Sequence, residues 1–133
     1  MEFSYPAVTP RGQTVERDET PFREYGRVHL SSPDKEELYV EVVRFGGLAP
    51  QEEYRAHRPY LEQRFGADAI TALTETNLCG RPAWAYSFAW DEADRPRERA
   101  VLLVQVGHDT YRIIYDPRSS VNEQVIATVT ITD

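Results

Sequence analysis

The sequence predicts an α+β domain: an antiparallel β-sheet of about six strands layered between helices, an α/β/α sandwich. Three observations carry that prediction. Residues 82–90 alternate strictly, with Trp84, Tyr86, Phe88 and Trp90 on one side and Ala83, Ala85, Ser87 and Ala89 on the other, and strand side chains alternate faces with a period of two. Residues 100–106 are continuously apolar and residues 110–115 alternate again, grouping Tyr111, Ile113 and Tyr115; short connections between such stretches make antiparallel neighbours. The period lengthens to the helical one over residues 50–65 and again after Ser120, which supplies two helices to cover a sheet that is apolar on both faces.

In chain order, Phe3 and Tyr5 share a face of a short opening strand that Pro6 stops. Residues 9–20 are rich in Pro, Gly and charge and read as a surface loop. A strand is expected over residues 22–30, with Phe22, Val28 and Leu30 in phase and Gly26 at a bend or bulge. Ser31-Ser32-Pro33-Asp34 makes a turn, because Pro presets φ and Ser and Asp side chains bond nearby backbone. Residues 37–45 set Leu38, Val40 and Val42 against Tyr39, Val43 and Phe45, the pattern of an inner strand.

After Gly46-Gly47, residues 50–65 place Tyr54, His57, Leu61 and Phe65 on one helical stripe, with Glu52, Arg55 and Glu62 toward water. Pro59 removes a hydrogen bond, so a kink or two short helices are expected there. Gly66 is the expected stop. Residues 70–78 read as a strand, residues 91–98 as a charged hairpin loop. Ser120 with Glu123 three residues on fits a capping box. The following stripe is Val121, Val125 and Val129 with Ile126, and β-branched residues weaken its last turn.

A chain of 133 residues suits one domain, and its 41% hydrophobic and 11% aromatic content excludes a disordered one. The net charge of −7 argues against nucleic acid and against an anionic membrane surface. One cysteine, Cys79, allows no internal disulfide, and His29, His57 and His108 lack zinc spacing, so neither metal nor cofactor is expected. No stretch approaches the ~20 apolar residues of a membrane span. The opening residues lack the basic and apolar regions of an export signal, which makes a cytoplasmic location the expectation.

Burying four large rings is worth about 6–12 kcal/mol, comparable with the ~5–15 kcal/mol net stability of a domain. Core packing is therefore the expectation for the aromatic row, with Trp90 at its end part exposed. Cys79 reads as a small half-buried residue at a strand end, His57 as a hydrogen-bonded boundary residue and His108 as an exposed one. No carboxylate pair or nucleophile with a neighbouring base stands out, so no catalytic residue is assigned. Asp116-Pro117-Arg118-Ser119-Ser120 either presents hydroxyls and N–H groups to an anion at a helix N-terminus or is a plain capped turn. Arg112, out of phase with its apolar neighbours, pairs with a carboxylate on the next strand or marks a rim. Trp90, Arg112, Asp116, Arg118 and Ser119 are the candidate binding surface.

The element order, with Phe3-Ser4-Tyr5-Pro6, Ser32-Pro33-Asp34, Tyr54, His57, Leu61 and Phe65, Gly80-Arg81-Pro82-Ala83-Trp84 with Tyr86, and Thr110-Tyr111-Arg112-Ile113, resembles the Mog1/PsbP-like fold. That resemblance implies a sheet between helix layers, no shared catalytic residues and a non-enzymatic role with partners that differ between members. The expected function is a protein-binding or accessory module. Alternatives are a small-ligand-binding module, with its pocket between helix layer and sheet, and a hydrolase or transferase with dispersed residues. A monomer or a weak homodimer formed by sheet extension is expected, the latter through residues 3–5 or 70–78.

Overall fold

The computed structural model describes residues 2–21, 26–35 and 37–131. Seven strands form one fully antiparallel sheet: β1 (Glu16–Pro21), β2 (Gly26–Ser31), β3 (Tyr39–Phe45), β4 (Thr74–Leu78), β5 (Arg81–Glu92), β6 (Arg95–Val106) and β7 (Asp109–Tyr115). Their order across the sheet is β1-β2-β3-β7-β6-β5-β4. Helix α1 (Pro50–Phe65) joins the two meanders and α2 (Ser120–Ala127) follows the last strand. Among the described residues no helix is long and apolar enough to cross a membrane.

The α+β class stands, with one strand more than expected. The extra strand is β1, within the stretch expected to be a loop; residues 16–19 are all exposed, as befits a polar edge strand that buries nothing. The opening residues make no strand: Glu2 and Thr130 exchange backbone hydrogen bonds at 2.8 Å as an isolated bridge. Phe3 and Tyr5 nevertheless pack against the core. Residues 22–25, where the second strand was expected to begin, lie outside the described residues. The expected strand over 70–78 is shorter, since a 3₁₀ turn (Ala67–Ala69) precedes it and only Ile70 bridges to Phe88 before β4 starts. The expected charged loop is instead a tight hairpin tip: Ala93 and Asp94 take φ 49° and 62°, the left-handed pair that a two-residue hairpin turn requires.

Pro59 does not divide the helix. It lies on the exposed side of one α1 running from Pro50 to Phe65, where water reaches the carbonyl its missing N–H leaves unbonded. Gly66 closes α1 with φ 94° and an N–H bond to the Glu62 carbonyl, a conformation that costs glycine little. The cap of α2 is Ser119, one residue earlier than the spacing suggested; its hydroxyl accepts the Asn122 N–H, and it donates to the Glu37 carbonyl.

The helices cover opposite faces. On one, Val121, Val125 and Ile126 of α2 meet Val40, Val42, Leu102, Val104 and Ile113, together with Ala83; the small side chains of β5 let α2 approach. On the other, Leu61 of α1 packs on Tyr86, Phe88, Val101, Leu103 and Ile114. Tyr86 and Phe88 are buried, while Trp84 and Trp90 are half-buried. One cross-strand row on the α1 face runs Asp18, His29, Glu41, Ile114, Val101, Tyr86. It turns from apolar to polar between Ile114 and Glu41, where the cover of α1 ends. A groove follows that boundary.

Candidate functional site: a groove beside helix α1

The groove encloses about 410 Å³. Its floor is Ile114 and Phe88, its α1 wall is His57, Tyr60, Leu61, Arg64 and Phe65, and Tyr39, Glu41, Trp90, Arg99 and Arg112 complete it. The strand pattern explains the selection: odd residues of β3 and β6 and even residues of β5 and β7 point to this face.

At one end the Arg99 guanidinium lies between two rings, its Cζ 4.5 Å from the Tyr39 centroid and 5.3 Å from that of Trp90. Its Nη1 donates to Asp116 Oδ2 at 3.4 Å and to the Glu98 carbonyl at 3.0 Å. The Nε–Nη2 edge has no hydrogen-bond partner among the described residues. Burial lowers the Arg99 pKa, and Asp116 opposes the shift. Asp116 is 1% exposed and also accepts from the Arg118 N–H at 3.0 Å and from its guanidinium at 3.3 Å. Asn122 ties this corner to α2, donating to the Asp116 carbonyl and accepting the Tyr39 N–H, both at 3.0 Å.

At the other end Arg112 Nη1 donates to Glu53 Oε1 at 2.8 Å, and Glu41 lies 4.0 Å from Nη2. Glu41 also pairs with Arg27 at 2.8 Å. The Arg112 Cζ stands 5.0 Å over the Phe45 ring. Burial raises the Glu53 pKa against the pull of Arg112. His57 Nδ1 and the Tyr86 hydroxyl are 2.6 Å apart. Burial first, and the Arg112 charge second, lower His57 to about 4, so its 4.0 Å approach to Glu53 is not an ion pair at neutral pH. Burial pushes the Tyr86 hydroxyl up, and both partners stay neutral.

The residues singled out in the sequence divide between these two ends. Trp90 and Arg112 line the groove, Asp116 and Arg118 lie behind Arg99, and Ser119 is buried as the α2 cap. In the loop 116–120 the Asp116 carboxylate itself bonds the Arg118 backbone N–H. Arg112 has its nearest carboxylate on α1, with the one on the neighbouring strand farther away. Sequence reasoning passed over Arg99, Tyr39, Glu41 and Glu53. The signal for Arg99 is the phase of β6: Leu103 and Val101 continue by twos to Arg99. Cys79 is exposed, with Sγ 3.5 Å from the Ala127 carbonyl. Among the described residues no three His, Cys, Asp or Glu side chains gather where they could hold a metal ion. No protein-family model, curated protein or solved structure matches the chain.

Proposed function

We propose that the chain is a non-enzymatic binding module whose groove takes a small organic carboxylate with an apolar or aromatic body. The observation that carries this reading is the Arg99 guanidinium held between Tyr39 and Trp90 with its Nε–Nη2 edge unengaged. A stacked guanidinium presents that edge as a fork matched to a carboxylate. Arg64 lines the same groove, whereas the charge of Arg112 is offset by Glu53 and Glu41. The acid group therefore belongs at the Arg99 end and the apolar body over Ile114, Leu61 and Phe88. A protein docking on a broad apolar face is less favoured: among the described residues the large exposed apolar side chains are Val8 (53%) and Tyr60 (55%), too few for such a patch.

Kinship with the Mog1/PsbP-like fold is part of the same proposal. It is supported by the order of a three-strand meander, a helix, a four-strand meander and a second helix on the opposite face.

Titration with phenylacetate against phenylacetamide, followed by thermal shift, tests the reading. A ligand at ~100 times its dissociation constant adds about 2.7 kcal/mol, so the acid is expected to raise the melting temperature and the amide not to. Equal responses to both, no response to any carboxylate, or undiminished binding by Arg99→Gln would remove the proposal.

A further inference from the structure

The outer edge of β5 is paired along only part of its length. β4 runs beside it from Arg81 to Ala85, and Ile70 continues the pairing to Phe88. The Thr71 N–H donates to the Ser87 carbonyl at 2.9 Å, and the Ser87 N–H donates to the Thr71 hydroxyl at 2.8 Å. Odd residues of β5 thus turn their backbone groups away from β6. With a period of two, the Ala89 carbonyl and both backbone groups of Asp91 also point outward. They have no hydrogen-bond partner among the described residues.

This open edge borders a cleft of about 600 Å³ lined by Arg64, Phe65, Ala89, Trp90, Asp91 and Glu92. The Phe65 and Trp90 rings stack with centroids 5.0 Å apart and form its apolar side. Glu92 lies on the Trp90 side of the strand and is paired with Arg97 at 3.6 Å. Arg64 bonds the Tyr60 hydroxyl at 3.0 Å, and Asp91 projects from the opposite face of the strand. The whole chain carries −7.

We propose that the β5 edge at Ala89–Asp91, beside the Phe65–Trp90 stack and the Asp91 and Glu92 carboxylates, binds a short basic peptide segment of a partner as an added β-strand. Three main-chain hydrogen bonds give the docking its direction: one to the Ala89 carbonyl and two to Asp91. Alternate Lys or Arg side chains fall on the Asp91 face, the residues between them lie against the Phe65–Trp90 stack, and the net negative charge steers the cations toward Asp91. A second copy of this chain is the poorer occupant, because pairing the same edges sets Asp91 against acidic residues of its own kind. The cleft shares Arg64, Phe65 and Trp90 with the groove, but the strand-addition proposal does not rest on the carboxylate reading.

The test uses the whole chain and a blocked Thr-Lys-Val-Lys-Thr peptide, its Glu-for-Lys counterpart, and versions N-methylated at alternate amides in either phase. Binding is read by amide resonances and hydrogen exchange. The lysine peptide is expected to shift and protect the Asp91 N–H. The Glu peptide and one N-methylated phase should bind about tenfold more weakly, the loss of one to two hydrogen bonds or ion pairs. Asp91→Asn should weaken the lysine peptide and Asp91→Pro should weaken it further; the proline removes only an outward N–H, so pairing with β6 survives. No change at Asp91 with millimolar lysine peptide, equal binding of the Glu peptide, or indifference to both N-methylated phases overturns the proposal. Concentration-dependent self-association that protects Asp91 without peptide overturns it in favour of a second copy.

Discussion

Glu53 on α1 and Arg112 on β7 meet at 2.8 Å across the helix–sheet interface, with side chains 3% and 15% exposed. Glu53 Oε2 and Arg112 Nε have no hydrogen-bond partner among the described residues. Removing one member of such a pair strands the other charge, at a cost of about 3–5 kcal/mol, whereas replacing both with apolar groups is often neutral or stabilising. Glu53→Leu and Arg112→Met are each expected to destabilise strongly, and the double variant to recover most of the loss. Urea unfolding of the four proteins measures the coupling directly. Additive losses would show that the pair does not fasten α1 to the sheet.

His57 makes stability depend on pH. Unfolded, it takes up a proton near 6.5; folded, it does so near 4, chiefly through burial. Between these values the unfolded chain binds more protons, so stability is lost as pH falls from 6.5 toward 4. At 1.36 kcal/mol per pH unit, the His57 share lost between pH 7 and pH 5 is about 2 kcal/mol. His29, lowered by burial, acts in the same direction, and Glu53, raised by burial, in the opposite one. His57→Gln isolates the share: its loss of unfolding free energy between pH 7 and pH 5 should be smaller than that of the wild type by about this amount. An unchanged difference assigns the pH dependence elsewhere.

The alanine row of β5 sets how near α2 lies. Ala83 is 1% exposed in the cluster that holds Val121 and Val125, so added methylenes have no room. Ala83→Leu is expected to cost about 1–3 kcal/mol by overpacking. Ala89→Leu, at an exposed position of the same strand, should change stability by less than ~0.5 kcal/mol. A comparison of their chemical denaturation midpoints decides it, and equal midpoints would mean that α2 does not rest on Ala83.

Where a segment buries an apolar face, its element was legible, because burial writes a period into the residues. β3, β5, β6, β7 and the α1 stripe are of this kind. β1 was hidden because an edge strand over water needs no apolar side chain, and its Glu16-Arg17-Asp18-Glu19 run has the composition of a loop. The arms of the β5–β6 hairpin were hidden for the same reason, and Arg99 with them. Of two adjacent serines the spacing to Glu123 picked out Ser120, whereas the hydroxyl that reaches the Asn122 N–H belongs to Ser119. Glu53 was not singled out, since its partner Arg112 is 59 residues away. Long-range pairs of that sort leave no local trace, which is why Trp90 and Arg112 were readable as single residues while the partners that complete the site, Tyr39, Arg99 and Glu53, were not.

Tyr39 and Trp90 bear on affinity more than on stability. Each is half-buried beside the groove and covers one face of Arg99, and such a contact is worth about 0.5–2 kcal/mol. Their role in the proposed function is to hold the guanidinium in one plane before a carboxylate arrives, which lowers the ordering cost of binding. Trp90→Leu should therefore weaken phenylacetate binding about tenfold, and Trp90→Phe, which keeps a ring over the guanidinium, should weaken it less. Tyr39→Leu should repeat the loss from the other side. The two losses should be less than additive, because one missing ring already frees the guanidinium to turn. Calorimetric titration of the single and double variants measures this. Leucine variants that bind phenylacetate as well as the wild type would show that the rings do not organise the site.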